Sequence, residues 1–174
     1  MVELILDFSD LYRGIANMGQ VNVWWPIILQ RNMDRLGRDG VAAMREILAI
    51  RNYTGTLGGS VSHSYNSATK TLTIQPNARR RSFIAGDIHE LGTNKITNIP
   101  WQPIRQWALA KGMTLKQAGA VWNKIRQSGV RAHPFIDRTV NSSRFQNALT
   151  FASSEIAREV AEEVVKKKSG VITP

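Results

Sequence analysis

The sequence predicts a protein of mixed helix and strand. Three observations carry that expectation. Apolar residues recur at three- and four-residue steps near the start, they alternate every second residue in the middle, and a second long helical stripe closes the chain.

After a short amphipathic opening, WWPIILQRNMDRLGRDGVAAMREILAIRN (residues 24 to 52) spaces Ile28 or Leu29, Met33, Leu36, Met44 and Ile47 or Leu48 as a helix with one apolar face. Pro26 suits its first turn. Gly37 and Gly40 weaken its middle by up to about 1 kcal/mol each relative to alanine, which makes that point the place for a bend. In residues 53 to 78, Val61, His63 and Tyr65 alternate with serines, and Thr71, Thr73 and Gln75 alternate with Leu72 and Ile74. With a turn at Asn66 to Thr69 between them, this predicts a β-hairpin. Phe83 to Ala85 offer one more apolar stretch, broken at Gly86 and again at Gly92.

Residues 103 to 129 return to helical spacing. One helix is expected from about Ile104 to Lys111, with a stop at Gly112, and a second from Thr114 as N-cap to just before Gly129. Residues 141 to 168 put Phe145, Leu149, Ala152, Ile156, Val160 and Val164 on one stripe, with Glu155, Glu159, Glu162 and Glu163 mostly opposite or beside it. A serine or asparagine caps that helix, and Lys166, Lys167 and Lys168 sit where positive charge complements the helix dipole.

A chain of 174 residues suits one domain with a real core. The expected layout of 1–174 is an N-terminal helix (24–52), a hairpin and strand region (53–93), a helical insert (94–130) and a C-terminal helix (141–168). The absence of cysteine excludes disulfides, thiolate metal sites and cysteine nucleophiles. No apolar run approaches the roughly 20 residues that span a bilayer, so a soluble protein made in the cytoplasm, without membrane contact, is expected. The net charge of +10 is unevenly placed: residues 70 to 148 hold thirteen basic and three acidic side chains, while both flanks are neutral. Such a segment attracts nucleic acid, matches an acidic partner, or serves as a solvated face.

The residues that carry chemistry offer little. His63, His89 and His133 lie too far apart in sequence for a metal site on one helix. Asp87, His89 and Glu90 cluster in DIHELG, but in a strand or turn Asp87 and His89 share one side while Glu90 points away. TGTLGGS lacks the lysine and spacing of a phosphate-binding loop, and no serine sits in a nucleophile elbow. The sequence is therefore expected to need no cofactor or metal and to carry no catalysis. Residues 104 to 128 also read as helix, glycine turn and helix. A DNA-binding helix-turn-helix could use Lys116, Gln117, Asn123, Lys124 and Arg126, although Trp107 and Trp122 point to packing. Arg79, Arg80 and Arg81 form a basic triplet near a strand edge, either a phosphate clamp or a guard against edge pairing.

Taken in order, three short motifs add a family resemblance: Thr54, Gly55, Leu57 and Ser60 after the first helix; Glu90, Leu91, Gly92 and Thr93 after the strands; and Pro134, Phe135 and Ile136 before the last helix. From about residue 27 to 165 the chain resembles the tail-completion proteins of long-tailed bacteriophages, also described as tail-to-head joining, neck or minor tail proteins. Segment 94 to 130 is longer than the minimal family pattern, and some relatives carry a similar helix pair, represented here by Trp107, Ala108, Lys111 and Gly112.

The resemblance implies an α+β fold, with a small, mostly antiparallel sheet packed by the long N- and C-terminal helices and a helical-pair insert. It implies a structural virion protein at the head–tail junction, made in the host cytoplasm and assembling with itself as a ring of six. Its expected neighbours are the head connector or stopper and the tail terminator or tube protein. Contact with DNA in the lumen is a further expectation. Arg79, Arg80, Arg81, Arg126 and Arg131 are the candidate charged interface. DNA binding through the helix-turn-helix-like segment 104–128 is the alternative.

Overall fold

The computed structural model describes residues 3–16, 24–49, 56–80 and 83–168. The fold is α+β, with eight helices and a three-stranded antiparallel sheet among the described residues. The chain opens with β1 (Leu4–Asp7) and α1 (Ser9–Ala16), followed by α2 (Trp25–Ala49) and the single turn α3 (Thr56–Gly59). The hairpin is β2 (Val61–Asn66) and β3 (Thr71–Pro76), and a two-residue ladder joins β4 (Arg79–Arg80) to β5 (Phe83–Ile84). Five helices complete it: α4 (Ala85–Leu91), α5 (Trp101–Ala110), α6 (Leu115–Ser128), α7 (Phe135–Val140) and α8 (Ser143–Lys168).

Helix α2 is the hub of the core. Its expected apolar face is buried, with Ile28, Leu29, Met33, Leu36, Met44 and Leu48 all in one hydrophobic cluster with residues of the sheet and of α8. Gly37 and Gly40 lie inside one continuous helix and mark its closest contacts. A Cβ on Gly37 would run into the His63 ring, whose Cγ lies 2.6 Å away; one on Gly40 would collide with Ile74 and stand 3.1 Å from the Phe145 ring. The helix propensity given up at these positions lets strand and helix side chains lie on the α2 backbone.

Strands β2 and β3 pair antiparallel with Val61 opposite Pro76 and Asn66 opposite Thr71, as the alternation predicts. The turn closes on Asn66, whose Oδ1 accepts the amides of Ala68 (2.9 Å) and Thr69 (3.2 Å). Leu72 and Ile74 are fully buried. The short amphipathic opening is a third strand, β1, which pairs with β3 on the other side with Leu4 opposite Ile74. Four residues are too few to display a period, so only the pairing with β3 reveals the strand.

Helix α8 places Phe145, Ala152 and Ile156 in the core, with Leu149 and Val160 packed against it. Ser142 caps it, its Oγ accepting the Phe145 amide at 3.3 Å. Ion pairs Arg31–Glu159, with the glutamate nearly buried, and Arg144–Glu46, exposed on both sides, tie α8 to α2.

Two short helices replace expected irregular chain. DIHELG was expected in a strand or turn with a break at Gly86, but α4 runs through Gly86 to Leu91. Asp87 in its first turn complements the dipole, and Gly92 at φ +70° ends it, donating its N–H to Ile88 at 2.9 Å. The second is α7, six residues in the stretch between the insert and the C-terminal helix, for which no element was expected. In the insert, α5 begins at Trp101, three residues before the expected start, because Pro103 falls in the first turn, where its missing N–H has no partner to lose. Thr114 caps α6 through a complete capping box with Gln117, as expected.

Gly37→Ala should destabilise the protein by about 1 to 2 kcal/mol, overpacking outweighing the better helix propensity. With His63→Ala beside it, the same change should be neutral or stabilising by up to about 1 kcal/mol. Urea unfolding of the four proteins in that cycle checks this. An equal loss in both backgrounds would show that the glycine does not serve the His63 contact.

Candidate functional site

The second and third motifs meet in one joint. The Glu90 carboxylate, at the end of α4, accepts the backbone amides of Phe135 (2.6 Å) and Ile136 (3.1 Å) and so caps α7 from a distant part of the chain. The His133 amide donates to the His89 carbonyl at 2.7 Å. Thr93 and Val130 bond twice, through Thr93 N to Val130 O (2.9 Å) and Val130 N to Thr93 Oγ1 (3.0 Å).

Two glycines allow this approach. Gly129 has φ +76° and ψ −163°, a region open only to glycine, and a Cβ there would strike the Thr93 carbonyl and lie 2.6 Å from the Asn94 carbonyl carbon. A Cβ on Gly92 would lie 2.6 Å from the Val130 carbonyl oxygen. Pro134 holds the chain extended before α7, and Phe135, 3% exposed, enters the core. Ile136 packs against that core. His89 is half-buried in α4, and burial holds its imidazole below the ordinary pKa.

The first motif is tied elsewhere. Thr54 and Gly55 lie outside the described residues. Leu57 is buried in the core, while Ser60 Oγ donates to the Leu57 carbonyl (2.7 Å) and accepts the Ala78 amide (2.9 Å). Arg45 on α2 clamps the same turn, donating to the carbonyls of Gly58 (3.1 Å) and Val61 (3.0 Å). No periodicity marks Arg45 for that role; only the folded turn supplies its acceptors.

Between Thr93 and Val130 the chain leaves the body as an arm, α5 and α6, rooted at both ends in the joint. The two helices pack against each other, and each carries a fully buried alanine outside the main cluster, Ala108 and Ala118. Trp101 meets Trp122 edge to face at 5.9 Å, Trp122 Nε1 donates to the Ile99 carbonyl (3.0 Å), and Arg126 covers the Trp122 ring at 4.5 Å. Arg126 also donates to the Thr97 carbonyl at 3.3 Å. The packing expected of Trp122 is thus present.

The five candidate interface arginines therefore separate. Arg126 braces the arm internally and Arg131 is exposed beside the joint. The backbones of Arg79 and Arg80 form β4, and Arg81 lies outside the described residues. Of the groups proposed for a DNA-reading helix, Gln117 and Arg126 are engaged within the arm, while Lys116, Asn123 and Lys124 are exposed. The α8 glutamates are paired within the chain: Glu155 and Glu162 with Arg158, Glu163 with Lys166, and Glu159 with Arg31.

Among the described residues, no group of three or more metal-ligating side chains comes together, and no helix is long and apolar enough to cross a membrane. An apolar cavity of about 230 Å³ opens between α1, α2 and α8, with Ser153 as the polar member of its lining.

No protein-family model and no solved structure matches the chain. Over 91 residues, 51% of this chain, it is 30% identical to a curated protein of Dictyostelium discoideum named "Probable acetyl-CoA acetyltransferase". The matched stretch is 22% of that relative, so the chain spans about a fifth of its length. This similarity corrects the expectation that the chain is not an enzyme, because part of it is alike to part of a protein named as one.

Glu90→Ala should cost about 1 to 3 kcal/mol, since two amides at the start of α7 lose a charged acceptor, and Glu90→Gln should cost less. Urea unfolding measures both, and an unchanged midpoint for Glu90→Ala would remove the cap from the account.

The His89 shift gives a pH signature. Burial favours the neutral ring, so the unfolded chain takes up a proton that the folded chain resists as pH falls below the ordinary value near 6.5. Stability should fall from about pH 6.5 downward until the folded protein also protonates. His89→Gln should flatten that part of the profile, and parallel curves for the two proteins would contradict the assignment.

Proposed function

We propose that the protein is a structural component of the head–tail junction of a long-tailed bacteriophage, assembling as a ring between the head connector or stopper and the tail terminator or tube. The observation that supports this reading most is the part played by the motif residues. Leu57 and Ser60 fix the turn between α2 and the hairpin, while Glu90, Gly92, Thr93, Pro134, Phe135 and Ile136 build the joint between α4 and α7. Residues shared for such a purpose specify a fold and its docking geometry, which is what a ring subunit reuses at each copy. The paired glutamates on α8 leave the segment 79 to 101, which runs through β4, β5 and α4, and the exposed Arg131 as the stronger candidates for neighbour contacts.

A second reading, sequence-selective DNA binding, draws on the helix–glycine–helix form of α5 and α6 and on exposed Lys116, Asn123 and Lys124. The acetyltransferase similarity has its own check, in which CoA released from acetyl-CoA by the purified chain is followed as free thiol.

Particles made without the protein should accumulate as tailless heads beside free tails, visible by electron microscopy. Replacing Arg79, Arg80 and Arg81 together with glutamate should block joining while urea unfolding stays within about 0.5 kcal/mol of the parent. Normal tailed particles from either experiment would remove the corresponding part of this reading.

A further inference from the structure

We propose that the α5–α6 arm is a sequence-independent binding surface for the phosphate backbone of duplex DNA. The inference concerns the arm alone and stands apart from the head–tail reading. From residue 91 to residue 136 the chain has no carboxylate side chain. Between residues 94 and 131 it carries seven lysines and arginines and seven asparagines and glutamines. Every charged side chain in the arm is thus a donor, and its amides supply further donors.

That pattern fits a partner with charged acceptors only. A phosphate backbone offers this along its whole length, whereas protein surfaces mix both signs. A second copy of this chain offers fewer free carboxylates than its composition suggests, since Glu46, Glu155, Glu159, Glu162 and Glu163 are each already paired.

The arm also presents the cations in a usable form. On α6, Lys116, Ala120, Asn123, Lys124 and Gln127 are exposed and fall on one flank at helical spacing. The stripe is about 16 Å long, roughly half a turn of duplex. Ala120 is small and the space over Gly119 is open to 4 Å, so a sugar–phosphate strand can lie close to the helix. At the start of α6, Thr114 and Gln117 are engaged in the capping box and so are not free to read bases. Trp122 is covered by Arg126 and Trp101, which removes it as a stacking platform for single strands.

The test uses the full chain and two short labelled duplexes of unrelated sequence, followed by fluorescence anisotropy across salt. The two should bind alike, with affinity falling linearly on a log–log plot against salt. The double variant Lys116→Ala with Lys124→Ala, both exposed positions, should keep its circular dichroism, weaken binding by more than about tenfold at roughly 0.1 M salt, and lower the slope by roughly two. No binding at low salt overturns the proposal. So does a clear preference for one duplex, which supports the helix-turn-helix reading instead. Binding unchanged in the double variant would move the site off the arm. Polyglutamate competing as well as duplex per unit charge would reassign the arm to an acidic protein surface.

Discussion

The closeness of the sheet and α8 to α2 constrains everything else in the molecule. A helix carrying a β-carbon at each position would hold the His63 ring and the Ile74 and Phe145 side chains away from its axis, but Gly37 and Gly40 remove that barrier. With those side chains seated on the α2 backbone, β2, β3 and α8 share one core that also receives Leu57 and Phe135. The local cost of two glycines in a 25-residue helix is about 1 kcal/mol each, and the burial they permit exceeds it: Ile74 is fully buried and Phe145 is 1% exposed, each a side chain whose burial is favourable by about 1.5 to 3 kcal/mol.

The joint depends on that core and in turn directs the arm. Phe135 is buried at the first turn of α7, and Glu90 reaches the two amides that this turn leaves open. Once α7 is placed, the positive φ at Gly92 and Gly129 and the paired bonds between Thr93 and Val130 bring the two ends of the insert together. The insert is thus rooted at one point through both of its ends. Within it Ala108 and Ala118 are fully buried and Trp101 meets Trp122 across the two helices, so its surface stays free to carry charge.

How much of this was legible follows from the length scale of each signal. The stripes on α2 and α8, the hairpin register and the Thr114 cap are set by neighbours within a few residues, and the sequence displays them directly. Strand β1 is four residues long and is defined by its partner β3, while α4 and α7 are stabilised by each other across more than forty residues. DIHELG was read as strand or turn because its ends are fixed from outside, although Asp87 in the first turn and Gly92 after the last are helix signs within the sequence itself. Gly37 and Gly40 were legible as weak points and silent about why they are there. The same holds for charge: the sequence places the glutamates mostly opposite or beside the α8 stripe, and the fold shows each of them paired with Arg31, Arg158 or Lys166.

This separation bears on where function can reside. The motif residues that carry the family resemblance are fasteners: Ser60 closes a turn, Glu90 caps a helix, and Phe135 fills a core. Among the described motif residues, the side chains of Ser60, Glu90 and Phe135 are committed to intramolecular partners. What the molecule presents outward lies between and beyond the motifs, in the acid-free arm and the exposed Arg131 beside its root. Two proteins sharing the fasteners would share a body and differ in what the body holds out. In this chain the arm is a braced helix pair without a carboxylate from residue 91 to 136, so the field it presents to any partner is positive.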